Sequence, residues 1–144
     1  MSVVSEIIAR LSPETGGVFA IVEGAGGWAA VSDSVPTAMP AAYVVSLREA
    51  SDKNERITGR VLQHLEADIA VILVTDNVSD AIGGAAAGDI EALKAWVRGR
   101  LLGFTPASAA DPLVHVSGEL LKTKNGVVWH EEVYGASTYL EELP

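Results

Sequence analysis

Gln63–Asp76 reads QHLEADIAVILVTD, the longest apolar stretch of the chain, and its reading decides the fold. The first half alternates. Leu65, Ala67 and Ile69 point one way, and His64, Glu66 and Asp68 point the other. The second half, Ala70 to Val74, is apolar on both sides. A strand half-exposed at one end and covered on both faces at the other produces this pattern. Val61, Leu65, Ile69 and Ile72 also fall at helical spacing, so periodicity alone leaves a helix open. The β-branched run IAVILVT and the turn-like Asp76-Asn77 after it favour a central strand.

Working outward, a strand is expected on the N-terminal side at Ala41–Leu47, where Tyr43, Val45 and Leu47 alternate with Ala42, Val44 and Ser46. Between the two strands lies REASDKNERITGR, Arg48–Arg60, the most polar stretch of the chain. It reads as a solvated loop, long for a hairpin, and long loops in compact domains often meet a partner. Arg48, Lys53, Arg56 and Arg60 are four of the ten basic residues and gather on this projection.

Further upstream, residues 2–11 carry the apolar stripe Val4, Ile7, Ile8 and Leu11 of an amphipathic helix, with Ser5, Glu6 and Arg10 opposite and Ser2 placed to cap it. Ser12-Pro13 ends it. Val18–Val22 and Trp28–Val31 read as two strands of a hairpin about Gly24-Ala25-Gly26-Gly27, with Trp28 as a core or interface anchor. The glycine cluster lacks the offsets of a dinucleotide fingerprint.

Downstream, Asn77–Gly88 is rich in small residues. Gly83 and Gly88 have the spacing of a phosphate loop, but Asp89 and Ile90 stand where a lysine and a hydroxyl are needed, so that reading fails. Asp89 reads instead as the cap or first-turn acid of a helix to Leu102. Ile90, Leu93, Trp96, Val97, Leu101 and Leu102 would be its buried stripe, with Glu91, Lys94, Arg98 and Arg100 facing water. Gly103 stops it and Pro106 prevents a restart. After a loop at 104–112, a strand from Leu113 through Leu121 should turn at Asn125-Gly126 with positive φ at both residues and return from Val127 to about Val133. Gly135 suggests a bulge or bend, and Thr138–Leu140 an extension of the last strand. Glu141 to Pro144 reads as an acidic tail.

The fold class is therefore α+β. One domain of 144 residues is expected, a mostly antiparallel or mixed β-sheet with an N-terminal helix and a second helix packed on it. A chain of 15.0 kDa buries roughly two thirds of its unfolded surface, enough for a core without staples.

Composition closes several routes. The chain contains no cysteine, which removes disulfides, thiolate metal sites and thiol nucleophiles. Its net charge of −9 opposes general binding to the outside of a nucleic acid. No basic leader precedes an apolar core in MSVVSEIIAR, and the longest apolar run is too short to span a bilayer as a helix, so neither a secretory leader nor a membrane anchor is expected.

A search for chemistry returns little. His64, His115 and His130 show no metal-ligand spacing, although adjacent strands that brought two together would permit a site. Glu131-Glu132 and Glu141-Glu142 are neighbours whose side chains point to opposite faces of a strand, so neither forms an acid–base pair. No serine sits in a nucleophile elbow. No catalytic, cofactor-binding or metal-ligating residue is assigned, and no cofactor is expected.

Four local patterns carry a resemblance. They are Pro40-Ala41-Ala42-Tyr43-Val44-Val45; Gln63 followed by the apolar strand to Val74-Thr75-Asp76-Asn77; the helix from Asp89 to Leu102 with Gly103-Phe104-Thr105-Pro106 after it; and Pro112-Leu113-Val114 through Gly118-Glu119-Leu120 to Val128-Trp129. Together with the order of elements, they resemble the tail terminator (tail-completion) proteins of long-tailed bacteriophages, over most of the chain from about Pro40 onward. The shared positions are structural and none is a catalytic signature.

The resemblance implies a non-enzymatic virion protein at the tail–neck junction, assembled in the host cytoplasm. It implies a homohexameric ring on the head-proximal end of the tail tube that stops polymerisation, joins a neck or head-completion protein, and lets DNA pass through its lumen without sequence-specific binding. Arg48, Lys53, Arg56 and Arg60 would then meet a neighbouring subunit or the ring below. Two rivals remain: another neck or head-completion protein, and a small α/β enzyme or ligand-binding domain. The last requires a pocket with converging polar groups, and the three histidines are where to look for it.

Overall fold

The computed structural model describes residues 2–12, 17–76 and 84–144, with backbone alone for 84–89. The segment 77–83 and the expected helix stop at Pro13 lie outside the described residues.

The expected central strand is β3, Leu62–Asp76, and it has the asymmetry its sequence requires. Ile69 to Thr75 are buried, whereas Leu62 to Asp68 are partly or fully open. On its proximal half both faces are covered. Val71 and Leu73 pack with Ala42, Val44, Tyr134 and the helices α1 (Val3–Leu11) and α3 (Gly84–Leu101). Ala70, Ile72 and Val74 pack on the opposite face with Tyr43, Trp129 and, from α2 (Ala25–Val31), Trp28 and Val31. The remaining strands are β1 (Ile21–Glu23), β2 (Ala41–Ser51), β4 (Val114–Lys124) and β5 (Val127–Glu141). They form one mixed sheet in the order β1-β2-β3-β5-β4, antiparallel except where β1 runs parallel to β2. The class is α+β.

That parallel pair corrects the hairpin expected over Val18–Val31. Parallel strands cannot be joined by a tight turn, so the chain must cross over between them. It does so through α2, which begins beside the glycine cluster. Glycine disfavours a helix by about 1 kcal/mol per residue. What holds this helix is tertiary packing: Trp28 lies against Tyr43, with ring centroids 5.7 Å apart. Val18 is exposed, and the buried residue at this entry is Phe19, edge-on to Trp96 at 5.8 Å.

Other boundaries move for related reasons. Cross-strand pairing carries β2 as far as Ser51, opposite Leu65, so Arg48 lies on a strand and the loop shrinks to 52–61. Helix α3 starts at Gly84, which places Asp89 inside it rather than at its cap. Leu102 lies past its end and is exposed. Gly103 terminates it with φ +80°, as expected. The turn at Asn125-Gly126 has φ 53° and 79°, also as expected. Strand β5 continues to Glu141, which pairs with Leu62, so the acidic end is tied into the sheet to that point.

Helix α1 carries its predicted cap: Ser2 and Ser5 bond each other's backbone amides through their hydroxyls. Glu6, expected on the open face, is buried and accepts the backbone amides of Ala107 and Ser108 at 2.8 and 3.1 Å. Burial pushes its carboxyl up, but these hydrogen bonds outweigh it and hold the group below its ordinary value. It fastens the 104–112 loop. At the other end of α1, Arg10 donates to the Arg100 carbonyl while Arg100 donates to the Arg10 carbonyl, and the Arg10 guanidinium sits 4.2 Å from the Phe104 ring centre.

Candidate functional site

Beyond the helices, the distal halves of β2, β3 and β5 project as a three-stranded arm. Fifteen residues in β3 span about 50 Å, longer than the helices cover. Leu47, Tyr139 and Leu140 are about half exposed there, and Ile57 at the loop tip is fully exposed.

The four basic residues assigned from the sequence all sit on this arm without converging. Arg48 lies on β2 opposite Asp68, and Lys53, Arg56 and Arg60 lie in the loop. Arg56 bonds the Arg60 carbonyl and forms an ion pair with Glu141 at the end of β5. That pair ties the loop to its own sheet. Both partners are well exposed, so it contributes little to stability.

A groove of about 330 Å³ runs under the start of α1, lined mainly by Val3, Val4, Leu65, Ala67, Ile69 and Ala136, with Glu49 its one charged side chain. A second, of about 460 Å³, is lined by Val18, Pro40, Thr75, Ala92, Leu93 and Trp96. Neither gathers titratable groups.

The titratable groups gather elsewhere, around two of the histidines singled out above and a carboxylate whose role the sequence did not mark. Glu132 on β5 is completely buried. Arg98 from α3 grips it with both arms, Nε to Oε1 at 2.5 Å and Nη2 to Oε2 at 3.2 Å. His130 Nε2 lies 2.9 Å from Oε2, and His115 Nε2 on β4 lies 3.3 Å from Oε1. The sheet register makes this cluster: Glu132 pairs with Gly118, and His115 pairs with Tyr134 two residues along the same face. Burial pushes the Glu132 carboxyl up, but the hydrogen bonds from Arg98 and His130 and the charges of Arg98 and His115 hold it below its ordinary value. Arg98, expected to face water, therefore points at the sheet.

Two of the three histidines do meet, across adjacent strands. They meet on a carboxylate already saturated by a guanidinium, and no group of three or more potential ligands suited to a metal occurs among the described residues. His64 stands apart on the arm, against Tyr139 and Asp52. The Glu132 cluster is a structural joint between α3, β5 and the edge strand β4.

Beside it, the Tyr134 hydroxyl is buried with no hydrogen-bond partner among the described residues. Burial, with Glu132 nearby, pushes its phenol far above the ordinary value. Replacing Tyr134 by Phe removes an unsatisfied polar atom and keeps the edge-on ring contact with His115. Urea unfolding should show no loss, or a gain of up to about 1 kcal/mol.

A model of the family described as phage tail terminator protein matches residues 1–142. The chain belongs to the phage tail terminator family. Family membership makes it a structural protein of a phage-type virion tail. The fold is also found in a chain of the solved structure titled "Virion of native gene transfer agent (GTA) particle". The two are 16% identical, with a TM-score of 0.60 and 96% of each chain covered. A search of curated proteins finds no match.

Proposed function

We propose that the protein is a non-enzymatic ring subunit that caps the head-proximal end of a tail tube. The ring is a homohexamer. It halts tube polymerisation and offers its other surface to a neck or head-completion protein. The observation that carries this reading is the family match over nearly the whole chain. An arm with exposed apolar side chains and a sealed, fully paired carboxylate also suit an assembly protein better than a catalyst. The net charge of −9 suits a lumen through which DNA slides without adhering. Arg48, Lys53, Arg56 and Arg60 then contact the neighbouring subunit or the tube ring below.

The test is to add the purified protein to a polymerising tail-tube protein and to measure ring mass and tube length. Six copies of a 15.0 kDa chain form a closed ring of about 90 kDa. Tubes should stop growing when the protein is added. Replacing Arg56 and Arg60 together with glutamate should weaken capping while circular dichroism stays unchanged. Tubes that grow on regardless, with the protein persisting as a monomer, would overturn the reading.

A further inference from the structure

The sheet ends in two open edges, and they match each other. Strand β4 is hydrogen-bonded only to β5, and all eleven of its residues are exposed. On the other side, β1 covers β2 only at Ala41–Tyr43. From Val45 to Ser51 the outer edge of β2 has no strand beside it among the described residues.

The register places these edges at the same height. Arg48 pairs with Asp68, Asp68 with Gly135, and Gly135 with Val114; Val44 pairs with Val71, Val71 with Glu132, and Glu132 with Gly118. Residues 44–48 and 114–118 are therefore the two ends of the same rows. Each edge carries one bulge there. Leu47 bulges between Ser46 and Arg48, and Val116 between His115 and Ser117. Both flank the row Ser46–Ile69–Tyr134–His115, and the two bulged side chains are 51% and 52% exposed.

Three antiparallel steps separate β2 from β4, so the two run in opposite directions. A second copy set beside the first in the same orientation brings its β2 edge antiparallel to the first copy's β4. That is a regular ladder, and it is head-to-tail, the arrangement that closes a ring. Open edges are normally defended, and bulges are one defence because they spoil pairing with a flat strand. Two bulges on one row spoil pairing with strangers while fitting one edge to the other.

We infer that the ring closes by sheet extension. The β4 edge of each subunit, Val114–Ser117, pairs antiparallel with the β2 edge, Val45–Arg48, of the next, and Leu47 and Val116 meet at the joint. This rests on the ring reading above and names the surface that makes the ring.

Hydrogen exchange of the assembled ring against the dissociated subunit tests it. Amides in both 45–48 and 114–117 should slow by at least about 10-fold on assembly. Leu47→Lys and Val116→Lys should each abolish the ring while leaving the subunit's circular dichroism and melting temperature unchanged, since both side chains are half exposed. A ring in which both edges still exchange freely overturns the inference and leaves the ring standing. Protection of 114–117 alone also overturns it, because the partner strand is then not β2. A wild-type chain that forms no ring, even with tube protein present, overturns the ring reading and this inference with it.

Discussion

Arg98→Met should lower the unfolding free energy by about 3 kcal/mol at pH 7, the low end of the cost of breaking a buried ion pair from one side. Glu132 is the side that stays behind. It has no exposure, lies against Val71 in the sheet, and would keep only the two imidazoles as partners. The groups facing it are Arg98 from α3, His115 from β4, and His130 and Tyr134 from β5, while Val71 and its β3 neighbours bring no charge.

The pH dependence follows from the direction of the shift. In the wild type the folded carboxyl binds a proton less readily than its ordinary value of 4.5 implies, so this contribution is complete above that pH and fades as the pH falls below it. In the variant burial is less opposed and the carboxyl moves upward, so protonation relieves the buried charge. The gap between the two proteins should therefore narrow from pH 7 to pH 4. Urea unfolding followed by tryptophan fluorescence at several pH values reads both effects. A loss under about 1 kcal/mol at pH 7, or a gap that widens on acidification, would show that the pair is not the joint described.

Gly118→Val should cost about 3 kcal/mol, the upper end for overfilling a packed site. A β-carbon at this position would lie 2.3 Å from Glu132 Oε2, 3.3 Å from His130 Nε2 and 3.5 Å from Arg98 Nη2. A flexible carboxylate would normally step aside cheaply. This one is held by two guanidinium bonds, so any retreat breaks the cluster. Gly118→Ala should show a smaller loss in the same direction. Combining Gly118→Val with Arg98→Met should cost less than the sum, because both act on the same carboxylate. Strict additivity would separate the glycine from the cluster.

Much of the fold was legible because its causes are local or periodic. The half-open, half-buried character of β3 is written in the alternation of its first half and the unbroken apolar run of its second. The Ser2 cap, the Gly103 stop and the Asn125-Gly126 turn each rest on the chemistry of one or two residues. The family resemblance was equally local, in runs of proline, glycine and apolar positions, and the match over residues 1–142 agrees with it.

What only tertiary structure decided concerns neighbours distant in sequence. Ala25–Val31 becomes a helix because β1 lies parallel to β2 and Trp28 has Tyr43 to pack on, neither of which periodicity encodes. The charged helix face at Arg98 turns inward because the register sets a carboxylate beneath it, 34 residues away along the chain. Glu6 is buried because the 104–112 loop offers it two amides. The sequence by itself determined where most strands and helices lie and which stretches are apolar enough to be covered. The sheet alone decided which charges meet, and which edges stay open, because register converts residues far apart in the chain into neighbours on one row.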